Sequence, residues 1–351
     1  MSLLGKRIKQ ARRRARASQR DLAAVSGVSA TAISKYERGL MKPGSEVILK
    51  IAHALDVDVS FFLRPERVKT IEPAYRKLKK LSKTSERQLI ERIRDWLERY
   101  LEAEDITEPE RRAYTMPEGF PYEVQTMDDA ERAADQLRDL WDLGSDPIEN
   151  LTSILEHRGV RVGVLEADDA FDACTFIADV NGGVPVMVTR RGVPGDRQRF
   201  SLAHELGHLV LQFPEGMTDT EEERACNRFA GALLAPAEQL LQDVGETRGS
   251  ISKEEILVLK HTYGISMRAL TFRFRDSGVI TEAEWKSVQR AFTSAGWHRQ
   301  EPGKPVAAEE PQRFRMLVLR AVTENLISER RARELYGQDF DELSEAEPAD
   351  A

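Results

Sequence analysis

The chain has only two cysteines, Cys174 and Cys226, and neither lies in a C-x-x-C pair. A multi-disulfide framework is therefore excluded, and this cysteine usage fits a reducing compartment. No run of 18 apolar residues occurs in the 351-residue sequence, so no membrane-spanning helix is expected. Met1-Ser2-Leu3-Leu4-Gly5 leads straight into charged residues without an apolar core, so no secretory signal is expected either. Repeats at solenoid periods are absent. What these absences leave is a cytoplasmic, globular chain with no membrane partner. Its length exceeds one ordinary core, which points to two domains with extensions.

Charge is distributed unevenly. Residues 1–64 carry 13 Lys/Arg against 5 Asp/Glu, a net of +8, whereas the whole chain is −7, so the remainder holds −15. That asymmetry points to a polyanionic partner for the first domain alone. Leu4 and Ile8 mark a first helix bearing Lys6, Arg7, Lys9, Arg12, Arg13, Arg14 and Arg16, with Arg12 expected at phosphate. Ser18 caps a second helix with Asp21 at the capping-box position. Ser26-Gly27-Val28 makes a tight turn, and Ser29 caps a third helix that Gly39 closes. Leu22, Ala23, Val28, Ile33 and Tyr36 have the spacing to bury one helix against the next, a helix-turn-helix.

A second pattern lies at His204-Glu205-Leu206-Gly207-His208. On a helix, His204 and His208 are one turn apart and project from one face, so both imidazoles can bind one metal ion. Glu205 beside them is a carboxylate able to take a proton from water. Catalytic zinc usually takes three protein ligands, so a third belongs on a nearby downstream element. The next helical segment opens with Thr220-Glu221-Glu222-Glu223, buries Ala225, Phe229, Ala232 and Leu233, and stops at Pro236. Glu221 and Glu222 also suit the positive end of a helix dipole. Glu223 is the preferred ligand, with Asn227 one turn later as the residue that orients it. His157, His261 and Tyr263 are candidates by type for stabilising an oxyanion. Cys226 fits a buried small hydrophobe better than a ligand.

The run Arg199 to His208, followed by Glu223-x-x-Cys226-Asn227-Arg228-Phe229-Ala230 and Leu233-Leu234-x-Pro236, resembles the ImmA/IrrE family of metallopeptidases over roughly residues 120–290. The resemblance implies a compact gluzincin-like domain with one Zn2+ per chain on His204, His208 and Glu223, and Glu205 as general base. Ala235 departs from the Met that many members carry. Residues 3–64, through Ser18-Gln19-x-x-Leu22-Ala23, Gly27-Val28-Ser29 and Ile33-Ser34-x-x-Glu37-x-Gly39, resemble the lambda-repressor-like (XRE) DNA-binding domain. That likeness implies double-stranded DNA as partner, with Gln19 and Ser29 at phosphate and Ala30, Thr31, Ser34 and Lys35 facing the major groove.

The expected fold is mostly α with a small sheet (α+β): an all-α helix-turn-helix domain over 1–64, a helical linker over 65–121, a metallopeptidase domain over 122–290, and a helical extension with an acidic tail over 291–351. In the linker, Tyr75, Leu78 and Leu81 start one helix, and Ser85-Glu86-Arg87-Gln88 opens another with Leu89, Ile93, Trp96, Leu97, Tyr100 and Leu101 along one face. Such a stripe suits either a homodimer or packing on its own domain. Helices over 127–142 and 147–158, the latter opened by Asp146-Pro147, precede strands at 160–165, 173–178 and 184–188. Asn181-Gly182-Gly183 is a hairpin signal, and Pro185 favours an edge or bulge. The expected function is a DNA-binding transcriptional regulator with a zinc-dependent endopeptidase domain. Its substrate would be a specific regulatory protein, repressor or antitoxin-like, in stress or mobile-element control. The alternative is a non-proteolytic transcription factor whose peptidase-like domain senses a ligand or metal.

Overall fold

The computed structural model describes residues 2–68, 71, 81–108, 113–180, 183–337 and 340. The helix start at Tyr75 and Leu78, the Asn181-Gly182 turn and the acidic tail beyond Phe340 lie outside the described residues. The N-terminal unit has α1 (Leu3–Arg14), α2 (Gln19–Ser26), α3 (Ala30–Arg38), α4 (Ser45–Ala54) and a 3-10 turn (Val59–Leu63). Ser18 and Asp21 form the capping box of α2, and Gly27 and Gly39 close α2 and α3 at φ 71° and 73°. An L side chain is strained there, which is why glycine occupies both turns. Ile8, Leu22, Ile33, Ile51 and Phe62 are buried together and form this unit's own core.

The expected linker contains α5 (Lys83–Thr107), a 25-residue helix that is not a spacer. Its N-cap is Ser82, whose hydroxyl accepts from the Ser85 N–H, so the helix starts one turn before the expected box at Ser85–Gln88. The stripe from Leu89 to Leu101 is buried inside the chain, where it is not available to a second copy. It packs with Phe176, Val186 and Val188 of the sheet and with α14 (Arg313–Thr323) and α15 (Glu329–Tyr336). Tyr100 stacks on Phe314 at 5.1 Å between ring centres. The segments expected to be a linker and a C-terminal extension therefore share one core, because each presents an apolar face that neither could bury alone.

The second unit runs β1 (Tyr122–Glu123), α6 (Met127–Trp141), α7 (Leu151–His157), β2 (Arg161–Leu165), β3 (Ala173–Ala178), β4 (Val184–Arg190), α8 (Gly195–Val210), β5 (Leu211–Gln212) and α9 (Asp219–Leu234). After it come α10 (Ala237–Val244), α11 (Lys253–Tyr263), α12 (Met267–Asp276) and α13 (Glu282–Ser294). α7 begins four residues later than expected, because Asn150 and not Asp146 caps it, accepting from the Ser153 N–H at 2.8 Å. The sheet order is β2-β4-β3, with β2 parallel and β3 antiparallel to β4. β4 is thus the central strand, yet Pro185 lies one residue before its first β2 partner and faces only Ile177 of β3. The missing N–H at Pro185 therefore breaks no ladder bond. Along β4, Val186 and Val188 face the α5 core while Met187 faces the core beneath α8. That is the two-residue period of a strand buried on both sides.

Residues 306–309 strap the start of α8. The Gly195 N–H donates to the Val306 carbonyl at 2.9 Å, and a Cβ on Gly195 would come within 1.9 Å of the Ala307 oxygen. Glu309 is buried, accepts from the Leu151 and Thr152 N–H groups at 3.1 and 2.7 Å, and is ion-paired with buried Arg199 of α8. One carboxylate thus caps α7 and neutralises a cation on the helix that bears His204. Glu309→Ala should cost about 3–5 kcal/mol of stability, the usual penalty for stranding one partner of a buried pair. Urea unfolding of the full chain measures this, and a loss below about 1 kcal/mol would show the strap to be dispensable.

Candidate metal centre

α8 carries no proline or β-branched residue between Gly195 and its last position, Val210, and it buries Leu202, Ala203, Leu206 and Val210. That apolar face turns His204 and His208 toward α9. α9 opens on the Thr218–Glu221 capping box, in which the Thr218 N–H donates to Glu221 at 2.9 Å. Glu221 is therefore committed to the helix end, and Glu223, half a turn later, is the carboxylate that reaches across. Gly207 sets the helix separation, since a Cβ there would lie 3.2 Å from the Phe229 ring and 3.4 Å from Cys226.

Donor atoms of three side chains converge. His204 Nε2 and His208 Nε2 are 3.2 Å apart, and Glu223 places Oε2 3.3 Å from His204 and Oε1 3.3 Å from His208. Tetrahedral zinc with ligand bonds of roughly 2.0–2.1 Å needs donor–donor edges of about 3.3 Å, so the spacing fits the ion. Among the described residues, this is the one group of three or more His, Cys, Asp or Glu side chains close enough to hold a metal. Glu205 is buried on the same helix turn, while the side chains of His208 and Glu223 are 24% and 41% exposed, so the cluster opens to solvent on their side.

Asn227 acts elsewhere than expected. Its Oδ1 lies 2.9 Å from His204 Nδ1, so it orients the imidazole and not Glu223. With Nε2 turned to the donor cluster, Nδ1 carries the proton and donates to the amide oxygen, which fixes the tautomer a metal-binding histidine needs. The sequence held the signal, since a ligand histidine needs an acceptor for its second ring nitrogen. His157 Nδ1 meets the Ser153 carbonyl at 2.8 Å, and the Tyr263 hydroxyl donates to Asp243 at 2.6 Å, with burial first and then Asp243 pushing its pKa up. His261 is exposed on α11. None of the three belongs to the donor cluster. Cys226 is fully buried against Gly207, as a small hydrophobe would be.

The helix-turn-helix face is a second candidate site. Thr31 and Lys35 are exposed and Ala30 and Ser34 half-buried on one side of α3, and Ser29 caps that helix by accepting from the Ala32 N–H at 3.1 Å. Gln19 donates to Glu37 at 2.7 Å. Arg12, expected at phosphate, grips the same buried Glu37 through two nitrogens at 2.5 and 3.0 Å, so its charge serves to pin α1 to α3. Most other cations of α1 face α5: Arg7 pairs with Glu98, Arg14 with Asp95 at 3.0 Å, and Arg13 with Glu91 at 3.5 Å. Burial would raise the Asp95 carboxyl, but Arg99, Arg14 and Arg64 together hold it below the usual range. Much of the positive excess is thus matched within the chain, and the cations exposed near α3 are Arg20, Lys35, Arg38 and Lys42.

The geometry sets an expected outcome for metal binding. Asn227→Ala should weaken zinc affinity about 10–100-fold, as loss of a partner to a ligand histidine does. Competition with a chromophoric chelator measures it, and an unchanged affinity would mean that the amide orients nothing.

Residues 8–62 match the helix-turn-helix family model, and residues 174–275 match the family model for an IrrE N-terminal-like domain. The first span covers α1 to the 3-10 turn, and the second runs from β3 through both histidines and Glu223 to α12. No curated protein matches the chain. The chain therefore joins a region similar to helix-turn-helix domains with a region similar to IrrE N-terminal-like, peptidase-family domains.

Proposed function

We propose that the chain is a transcriptional regulator that binds double-stranded DNA through residues 1–64 and cleaves a specific regulatory protein, repressor or antitoxin-like, with a zinc-dependent endopeptidase domain. The observation that carries the reading is the complete donor triangle of His204, His208 and Glu223 beside the buried carboxylate of Glu205. His204, His208 and Glu223 would hold one Zn2+, and Asn227 would fix the His204 ring. When bound, the ion supplies Lewis acidity toward a carbonyl and lowers the pKa of water. Glu205 takes the proton from the attacking water and hands it to the leaving amine. On the first domain, Gln19 and Ser29 sit at phosphate while Ala30, Thr31, Ser34 and Lys35 read base edges. A cytoplasmic location follows from a DNA partner.

Incubation of the zinc-loaded full chain with repressors encoded beside it tests the peptidase. Cleavage at one exposed loop is expected, with Glu205→Gln retaining zinc while the rate falls about 10²–10⁴-fold, the usual contribution of a positioned base. Zinc bound with no cleavage of any neighbouring regulator would favour the ligand- or metal-sensing alternative. For DNA, Lys35→Ala should change the preferred sequence at a cost of about 1–3 kcal/mol at the contacted base, and affinity should fall steeply with salt. A selection from random duplexes reads both; identical preferences for the two proteins would remove Lys35 from base readout.

A further inference from the structure

Lys35, Arg38 and Lys42 are exposed, and no carboxylate among the described residues pairs with any of them. Lys35 and Arg38 stand three apart on one side of α3, and Lys42 follows in the turn that Gly39 opens. Leu40 and Met41, 66% and 41% exposed, lie between the two later cations. This end of α3 is therefore basic with an apolar centre. Residues 341–351 have the opposite charge. They hold Asp341, Glu342, Glu345, Glu347 and Asp350, no Lys or Arg, and one large apolar side chain, Leu343. Such an acidic block is the composition of an interaction segment for a basic surface. We propose that this acidic stretch binds the basic end of α3 within the same chain and competes there with duplex DNA. The competition rests on the proposed duplex reading by α3 and regulates that same surface.

A short series of contacts joins the two places. A Cβ on Gly5 of α1 would meet the Glu37 carbonyl oxygen of α3 at 2.7 Å, so the start of α1 lies against the end of α3. The next two residues reach past the 3-10 turn: Lys6 donates to Glu66 at 2.6 Å and Arg7 to the Arg64 carbonyl at 3.2 Å. Arg64 in turn donates to the Glu334 carbonyl of α15 at 3.3 Å. Phe340, six residues on and 4% exposed, is held in the core that contains α5. The acidic stretch therefore starts near the side of the first unit on which α3 ends. Eleven residues beyond Phe340 span up to about 36 Å when extended, more than the roughly 28 Å width of a compact 64-residue unit.

Tethering makes the contact unimolecular, with an effective concentration in the millimolar range for a short connection. Lys35 belongs to the proposed base readout, and Arg38 and Lys42 flank it. Duplex and acidic stretch cannot occupy this surface together, so the apparent duplex affinity falls in proportion to the unblocked fraction.

Carbodiimide coupling of the full chain joins a carboxylate to a lysine amine where the two touch, and peptide mass spectrometry locates the links. At low salt, links from Asp341, Glu342, Glu345, Glu347 or Asp350 to Lys35 or Lys42 are expected in the single-chain fraction. They should disappear at about 1 M salt, where the Debye length is about 3 Å. In a second arm, the combined variant Asp341→Asn, Glu342→Gln, Glu345→Gln, Glu347→Gln and Asp350→Asn should bind duplex at least about tenfold more tightly than wild type at low salt. No link to Lys35 or Lys42, or links only between two chains, would overturn the proposal. A gain in duplex affinity without those links would also overturn it, because removing five negative charges raises the chain's general attraction for DNA. Links with unchanged duplex affinity would overturn the competition. Links with no duplex bound by either protein would overturn the DNA-binding reading and the competition with it, while leaving the contact.

Discussion

The close approach of α8 and α9 at Gly207 is the constraint on which the His204, His208 and Glu223 cluster rests. Two imidazole nitrogens and a carboxylate can share one small sphere only if their helices come nearer than ordinary side chains permit. A glycine on one helix and a small, buried Cys226 with the Phe229 edge on the other give that separation. The rest of the second unit holds the pair in register. Arg199 ties α8 to the loop before α7 through the Ile148 and Glu149 carbonyls, and β5 continues α8 directly into a two-residue pairing with β1. A site built on packed helices keeps its donors placed more tightly than one built on loops.

Buried carboxylates recur as the fasteners between distant parts of the sequence. Glu37 joins α1, α2 and α3 through Arg12 and Gln19. Glu104 of α5 holds Arg161 of β2 through two bonds of 3.1 Å, both side chains almost fully buried. Glu309 gathers Arg199 and the first amides of α7. Each pairs with an arginine whose planar donor fork can also reach a backbone carbonyl, as Arg12 does at Ala17 and Arg161 at Gly159. Apolar contacts could bind these segments as strongly, but paired charges accept fewer alternative arrangements.

The sequence made local features legible because they are local. Ser18 with Asp21, Gly27 and Gly39 each act within one turn of chain, and HELGH carries its geometry in a four-residue spacing. β3 and β4 were readable as short strand-forming runs on either side of Asn181-Gly182-Gly183. What stayed hidden depends on partners far along the chain. Nothing in the pattern of α1 distinguishes an arginine that meets phosphate from Arg7, whose partner Glu98 is 91 residues away. The stripe from Leu89 to Leu101 stated that a face is buried but not which surface covers it, and the answer comes from β3, β4 and a helix beginning at Arg313. Asn227 was read as the partner of Glu223, whereas its amide oxygen lies against His204 Nδ1, because an amide on α9 can reach back to α8 as readily as along its own helix.

These long-range partners change the way the two family-matched regions relate. A flexible linker would let a DNA-binding unit and a peptidase-family unit act independently, each near the other only by effective concentration. Here α5 meets α1 through charged pairs on one side and the sheet that flanks α8 on the other. The donor cluster of one unit and α3 of the other are therefore connected through packed elements with no free hinge among the described residues. Such a connection carries an effect between sites only if some element in it has two arrangements.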